Sequence, residues 1–256
     1  MTALNYALER TILISAARST VFRYFKDTER FAAWWGAGSR IEGRPGGAVL
    51  IRYPNGVTAS GQVLEIVDGE RVVFTYGYDE PGKPIPPGGS RVTITLQDHP
   101  TGTRLHLRHE VADAATRDHH VPGWRYQLAL FANVAAGEQH GAAAALLDRY
   151  FALWSEPDAA VRRAGLAAVV ADDVTFRDAF GCTSGRDELD AHIAAARMHM
   201  PGVRLVRSGD LRQCQGTAVV DWVAKGADGQ ARGSGTSVLD LAPDGRIARV
   251  VGLWKS

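Results

Sequence analysis

Thr103-Arg104-Leu105-His106-Leu107-Arg108-His109-Glu110-Val111, together with the helical stretch downstream of it, decides the fold of the first half of this chain. Leu105, Leu107 and His109 alternate with Arg104, His106, Arg108 and Glu110, the period-two pattern of a half-buried strand. From Gly123-Trp124 onward the period lengthens. Trp124, Leu128, Phe131 and Ala135 fall at i, i+4, i+7 and i+11, which is one apolar face of a long helix. Upstream, strands are expected at 47–53, 58–67, 71–78 and 91–97. Their links, such as Pro54-Asn55-Gly56 and Asp68-Gly69, are too short for helical crossovers, so the sheet should be antiparallel. Ahead of them stand a strand near 9–14, a helix capped by Ser15 and carrying Val21, Phe22 and Phe25, and a short helix with Phe31, Trp34 and Trp35.

The second half opens with helices. Leu147, Tyr150, Phe151 and Trp154 form a stripe, and Glu156-Pro157-Asp158 starts a second helix. A strand over 173–180 sets Val174, Phe176, Asp178 and Phe180 on one face. Ser184-Gly185-Arg186-Asp187 reads as a variant capping box for a helix that buries Leu189, Ile193 and Met200 and stops at Pro201-Gly202. Strands near 203–209, 213–224, 232–241 and 246–254 finish the chain. The pattern gives two α+β domains, 1–138 and 139–256, meeting within Gly137-Glu138-Gln139-His140-Gly141.

A chain of 256 residues, 45% of them hydrophobic, can bury two cores. Its net charge of +1 gives no electrostatic reason to expect nucleic acid or a membrane surface as partner. The N-terminus lacks a signal-peptide pattern, and no apolar stretch approaches the roughly 20 residues of a membrane span. Cys182 and Cys214 form neither a Cys-x-x-Cys motif nor a disulfide framework, so a cytoplasmic, reduced protein is expected. No phosphate-cradling glycine loop, Gly-x-Ser-x-Gly elbow or His-Glu-x-x-His motif occurs. No cofactor or metal is therefore expected.

Several stretches carry a family resemblance. In the first half these are Val21-Phe22, Phe31-x-x-Trp34-Trp35, Arg71-Val72-Val73-Phe74-Thr75-Tyr76, and the strand at 103–110 with Gly123-Trp124 after it. This half resembles the START-like (SRPBCC) superfamily, in the branch named after activators of heat-shock protein 90 ATPase. The resemblance implies a helix-grip fold, a helix held by a curved antiparallel sheet. In the second half the carriers are Tyr150-Phe151-x-x-Trp154-x-Glu156-Pro157-Asp158, Phe176-Arg177-Asp178, Gly185-Arg186-Asp187-Glu188-Leu189 and Asp244-Gly245-Arg246-Ile247 through Gly252. It resembles the SnoaL-like branch of the nuclear transport factor 2-like superfamily, which implies a cone-shaped α+β barrel around a pocket and a possible homodimer through this domain.

Asp178 is the candidate acid/base. Strand parity aims it at the apolar side of its sheet, where desolvation raises a carboxyl pKa. The alternative is a carboxylate that accepts hydrogen bonds from the loop after it. His199 is a second acid/base candidate, although its place near a helix end also suits the helix dipole. Trp154, Phe176, Phe180 and Trp222 are candidate walls of the second pocket, or plain core. For the first pocket the candidates are Trp34, Trp35, Phe74, Tyr76, Tyr78 and His109. A satisfied core histidine competes with a functional role for His109, and Trp124 is assigned to the core. The long loop Asp79–Gly89 either covers a pocket mouth or is a solvated excursion.

These expectations amount to a protein that binds a small, mostly apolar molecule, of aromatic or polyketide-like kind, in one or both domains. Cyclase, isomerase or dehydratase chemistry is the catalytic form of that expectation. A chaperone-type accessory protein and a non-catalytic sequestration protein are the alternatives.

Overall fold

The computed structural model describes residues 3–255, which divide between Glu138 and Gln139 into two compact units. In the first unit β1 (Tyr6–Ile14) leads into α1 (Arg18–Arg23) and α2 (Thr28–Trp35). Next come β2 (Arg40–Ile41), β3 (Ala48–Arg52), β4 (Thr58–Val67), β5 (Arg71–Tyr78), β6 (Ser90–His99), β7 (Gly102–Val111) and the long α3 (Ala114–Gln139). The seven strands form one antiparallel sheet in the order β1-β7-β6-β5-β4-β3-β2. One apolar core joins Leu105 and Leu107 of β7, Val92 and Ile94 of β6 and Phe74 of β5 to Leu128, Phe131 and Ala135 of α3.

Two helix starts differ from the sequence expectation. The residue before α1 is Ala17, and it makes no side-chain cap. α3 begins nine residues ahead of Gly123, because the Asp113 carboxylate accepts from the Thr116 N–H at 2.8 Å and closes the first turn there. The helix then runs straight through Pro122-Gly123, which local propensity alone reads as a break. α2 does have its side-chain cap, Asp27, which accepts from the Arg30 N–H at 2.9 Å.

In the second unit α4 (Ala143–Leu153) and α5 (Ala159–Val169) precede β8 (Val170–Arg177) and β9 (Cys182–Ser184). α6 (Arg186–His199), β10 (Arg204–Cys214), β11 (Thr217–Lys225), β12 (Ala231–Leu241) and β13 (Ile247–Trp254) complete it. The sheet order is β10-β11-β12-β13-β8-β9, with every pair antiparallel except β13–β8. Its outer strands, β10 and β9, do not pair, so the sheet is open rather than a closed barrel among the described residues. β10 continues through a register shift between Ser208 and Arg212 and turns at Gln215-Gly216, both in left-handed conformation. The expected break at 209–213 is therefore a bulge within one strand. Asp158 caps α5 by accepting from Ala160 N and Val161 N, whereas the expected capping box at Ser184 does not form. Instead the Glu188 carboxylate accepts from the Ser184 N–H at 2.8 Å. Among the described residues, no helix is long and apolar enough to cross a membrane.

Candidate functional site

In the first unit a cavity of about 270 Å³ opens between β5 and α3. Trp35, Tyr53, Tyr76, Tyr78 and Trp124 form most of its wall, with Gly123, Tyr126, Gln127 and Leu130 along the helix side. β5 delivers Tyr76 and Tyr78 on one strand face by the two-residue repeat. α3 delivers His120, Gly123, Trp124 and Gln127 by the i, i+3, i+4, i+7 repeat. The expected residues Trp35, Tyr76 and Tyr78 thus meet at one cavity, joined by Trp124, which the sequence assigned to the core.

Trp34, Phe74 and His109 do not line it. Trp34 packs against Phe131 with ring centroids 4.6 Å apart, and Phe74 is fully buried in the core. His109 lies behind the wall. Its Nδ1 accepts from the Trp124 indole N–H at 3.0 Å, so the proton of the neutral ring sits on Nε2, 2.8 Å from Ser90 Oγ. Ser90 in turn donates to the Tyr76 carbonyl at 2.7 Å. Burial pushes the His109 pKa down to about 3, so the ring is neutral in the folded protein at ordinary pH. It braces Trp124 and β5 from behind.

His120 has no counterpart among the sequence candidates. Its Nδ1 lies 2.7 Å from the Thr116 carbonyl, an acceptor, so that nitrogen carries the proton. Burial lowers the pKa of His120 and keeps it neutral, so its Nε2 accepts from the Tyr78 hydroxyl at 3.1 Å. Next to this pair the hydroxyls of Tyr53 and Tyr76 bond to each other at 2.8 Å, and burial raises both phenol pKa values. The Asp79–Gly89 loop is pinned beside this site without lining it. Ile85 is buried, Tyr78 N donates to Ile85 O at 2.8 Å, and the Pro86 carbonyl occupies the space a Cβ on Gly77 would need.

A second, tighter cavity of about 40 Å³ lies in the second unit. Tyr150, Trp154, Phe176, Asp178, Trp222 and Trp254 line it. Asp178, one residue past the end of β8, lines the cavity with Phe176, and it also does what the alternative required. Its Oδ1 accepts from Phe180 N and Gly181 N at 2.8 and 2.9 Å, while Oδ2 accepts from the Trp254 indole N–H at 3.2 Å. The hydroxyl of Tyr150 and the indole N–H of Trp154 are buried and interact with each other without reaching good hydrogen-bond geometry, and burial raises the Tyr150 pKa.

Two expected residues fall away. β8 ends at Arg177, so strand parity does not reach Phe180, which is 72% exposed and packs edge-on against Trp254 outside the cavity. His199 is exposed at the end of α6 and lines neither cavity. Among the described residues, no group of three or more His, Cys, Asp or Glu is placed to hold a metal ion.

Fold and cavities together define a tandem α+β protein, each half with its own apolar pocket. Residues 15–136 match the family model of activator of Hsp90 ATPase homolog 1-like proteins, and residues 147–250 match that of the SnoaL-like domain. Each half thus matches one of these families, in that order, as a fusion of one domain of each kind. Solved structures resemble one half at a time. An AHSA1-like protein from Rhizobium etli is 30% identical over 52% of this chain and 82% of its own, with a TM-score of 0.41. An isomerase candidate of the SnoaL-like family from Agrobacterium tumefaciens is 29% identical over 46% of this chain and 99% of its own, with a TM-score of 0.43. CalU16 from Micromonospora echinospora is 23% identical over 49% and 74%, with a TM-score of 0.39. No curated protein matches the chain significantly.

Proposed function

We propose that the protein binds a small, mostly apolar aromatic molecule in the cavity of its first domain. The observation that carries this reading is the cavity itself, an aromatic box lined by four tyrosines, three of them with hydrogen-bonded hydroxyls, and one neutral histidine. Aromatic walls supply area and stacking geometry, and a few fixed polar groups supply orientation. Its 270 Å³ lies just below the range of drug-sized pockets, which fits a ligand of one or two rings.

Gly123 offers a clean test. It sits on α3 at the cavity edge, and a Cβ built there meets nothing within 4 Å. Gly123→Ala is expected to raise stability by up to about 1 kcal/mol through helix propensity. Gly123→Phe is expected to keep the fold and fill the cavity, abolishing binding in ligand-observed NMR against a library of one- and two-ring aromatics. Equal binding by wild type and Gly123→Phe would remove the ligand from this cavity.

A second reading concerns proton transfer in the second domain, and the buried Tyr150 hydroxyl, which makes no well-formed hydrogen bond and shares the cavity with Asp178, favours it. Asp178 would act as base and the Tyr150 hydroxyl would donate to a developing oxyanion, a division of labour with precedent in ketosteroid isomerase, a standard example of carboxyl chemistry in an apolar site. As it stands, the cavity has room for only a few water molecules, so a substrate requires the Trp254–Phe180 rim to open. Hydrogen–deuterium exchange at the acidic C–H of small ketones should then be catalysed by the wild type. Asp178→Asn should slow it by about 10²–10⁴-fold. An unchanged rate in Asp178→Asn would end this assignment.

A further inference from the structure

We infer that the first-domain cavity selects neutral ligands carrying an oxygen acceptor, such as phenols and aryl ketones, and rejects the corresponding carboxylates. The inference rests on the binding reading above and adds the chemical class. No Asp, Glu, Lys or Arg is among the residues lining the cavity, and its one imidazole, His120, is held neutral. An anion entering it would lose its hydration with no opposite charge in the wall to replace it, because Lys83, whose Nζ lies 5.9 Å from the Tyr78 ring centroid, is already paired with Glu80 at 3.4 Å.

The hydrogen bonds already made in the wall decide which neutral group fits. His120 Nδ1–H is committed to the Thr116 carbonyl, and the Tyr78 hydroxyl proton to His120 Nε2. Tyr53 and Tyr76 share one hydroxyl proton between their two oxygens, which leaves the second proton with only a weak interaction with the Tyr78 oxygen among these groups. The indole N–H of Trp35, another wall residue, is buried with no acceptor. On the acceptor side, the Gln127 amide nitrogen donates to the Trp34 carbonyl, so Gln127 presents its carbonyl oxygen as the remaining group. The wall is therefore short of an acceptor near the tyrosines and offers one at Gln127. A ketone oxygen supplies what is missing, and a phenol supplies it while giving a proton in return. A carboxylate supplies acceptors only, with a charge the site does not balance.

Titration of the full chain with three ligands of one shape at pH 7.5 tests this, with Gly123→Phe as the control for binding elsewhere. The expected order is 2-naphthol over naphthalene by about 3- to 10-fold, the worth of one net hydrogen bond. 2-Naphthoate is expected to bind at least about 100-fold more weakly than 2-naphthol. In Tyr53→Phe/Tyr76→Phe the preference for 2-naphthol over naphthalene should vanish while naphthalene keeps its affinity. Cavity binding of 2-naphthoate as tight as that of 2-naphthol would overturn the inference and leave the binding reading standing. So would a preference for 2-naphthol that survives the double substitution. If none of the three binds in a manner sensitive to Gly123→Phe, the binding reading and the inference fall together.

Discussion

Acidification from pH 6.5 to pH 3 is expected to remove about 4 kcal/mol from the stability of the first domain through His109 alone. The unfolded chain takes up a proton at this histidine near 6.5, whereas the folded protein does so only near 3. Between those values the unfolded state binds more protons, so stability falls as pH falls, and above 6.5 the effect is absent. The physical cause is burial, reinforced by the neighbouring His120, and protonation would also disrupt the acceptor role of Nδ1 toward Trp124. Carboxylates held low by their partners, Glu110 by Arg91 and Asp113 by Thr116, act in the same direction. A variant is needed to isolate the histidine, and His109→Gln keeps one donor and one acceptor without the titration. Urea unfolding monitored through the NMR cross-peaks of β7 should show a clearly shallower pH dependence in His109→Gln between pH 6.5 and 3. Parallel profiles would mean that the His109 network does not control acid stability.

The second large effect is expected at Arg162. Its side chain is 4% exposed, its Nε lies 2.5 Å from Asp190 Oδ1, and its Nη1 donates to the Glu156 carbonyl at 3.1 Å. One guanidinium thus ties α5 to α6 and to the turn before α5. Arg162→Ala leaves the Asp190 carboxylate in a largely buried position without its cation, and should cost the second domain about 3–5 kcal/mol. Replacing both partners, Arg162→Met with Asp190→Leu, removes the desolvation cost together with the attraction. That double variant should come within about 1 kcal/mol of wild type or exceed it. Thermal unfolding of the single and double variants separates the two. A mild single variant would place the pair among surface ion pairs worth roughly 0–1 kcal/mol.

Strict periods made most of the fold legible in the sequence. The alternation in β7 and the i, i+4, i+7 face of α3 gave the sheet and the helix it packs against. The first cavity was legible where its residues sit on such periods, as Tyr76 and Tyr78 do on β5. His120 escaped because Pro122-Gly123 reads as a helix boundary, while the Asp113 cap and packing against the sheet carry the helix across it. Tyr53 escaped because it closes the expected strand 47–53 against the Pro54-Asn55-Gly56 turn, one residue past the end of β3, where alternation no longer marks a face. Phe180 shows the opposite failure. Parity was carried past the end of β8, where Asp178 turns the backbone by accepting from the two N–H groups at 180 and 181. Period-based inference holds only while the hydrogen-bond ladder lasts.

The central claim, a ligand site in the first domain, is tested most directly by a protein-observed NMR titration of the full chain with 2-naphthol. The indole N–H signals of Trp35 and Trp124 should shift, those of Trp222 and Trp254 should stay in place, and Gly123→Phe should abolish the response. Shifts confined to the Trp222 and Trp254 signals, or a Trp124 response that persists in Gly123→Phe, would contradict the account.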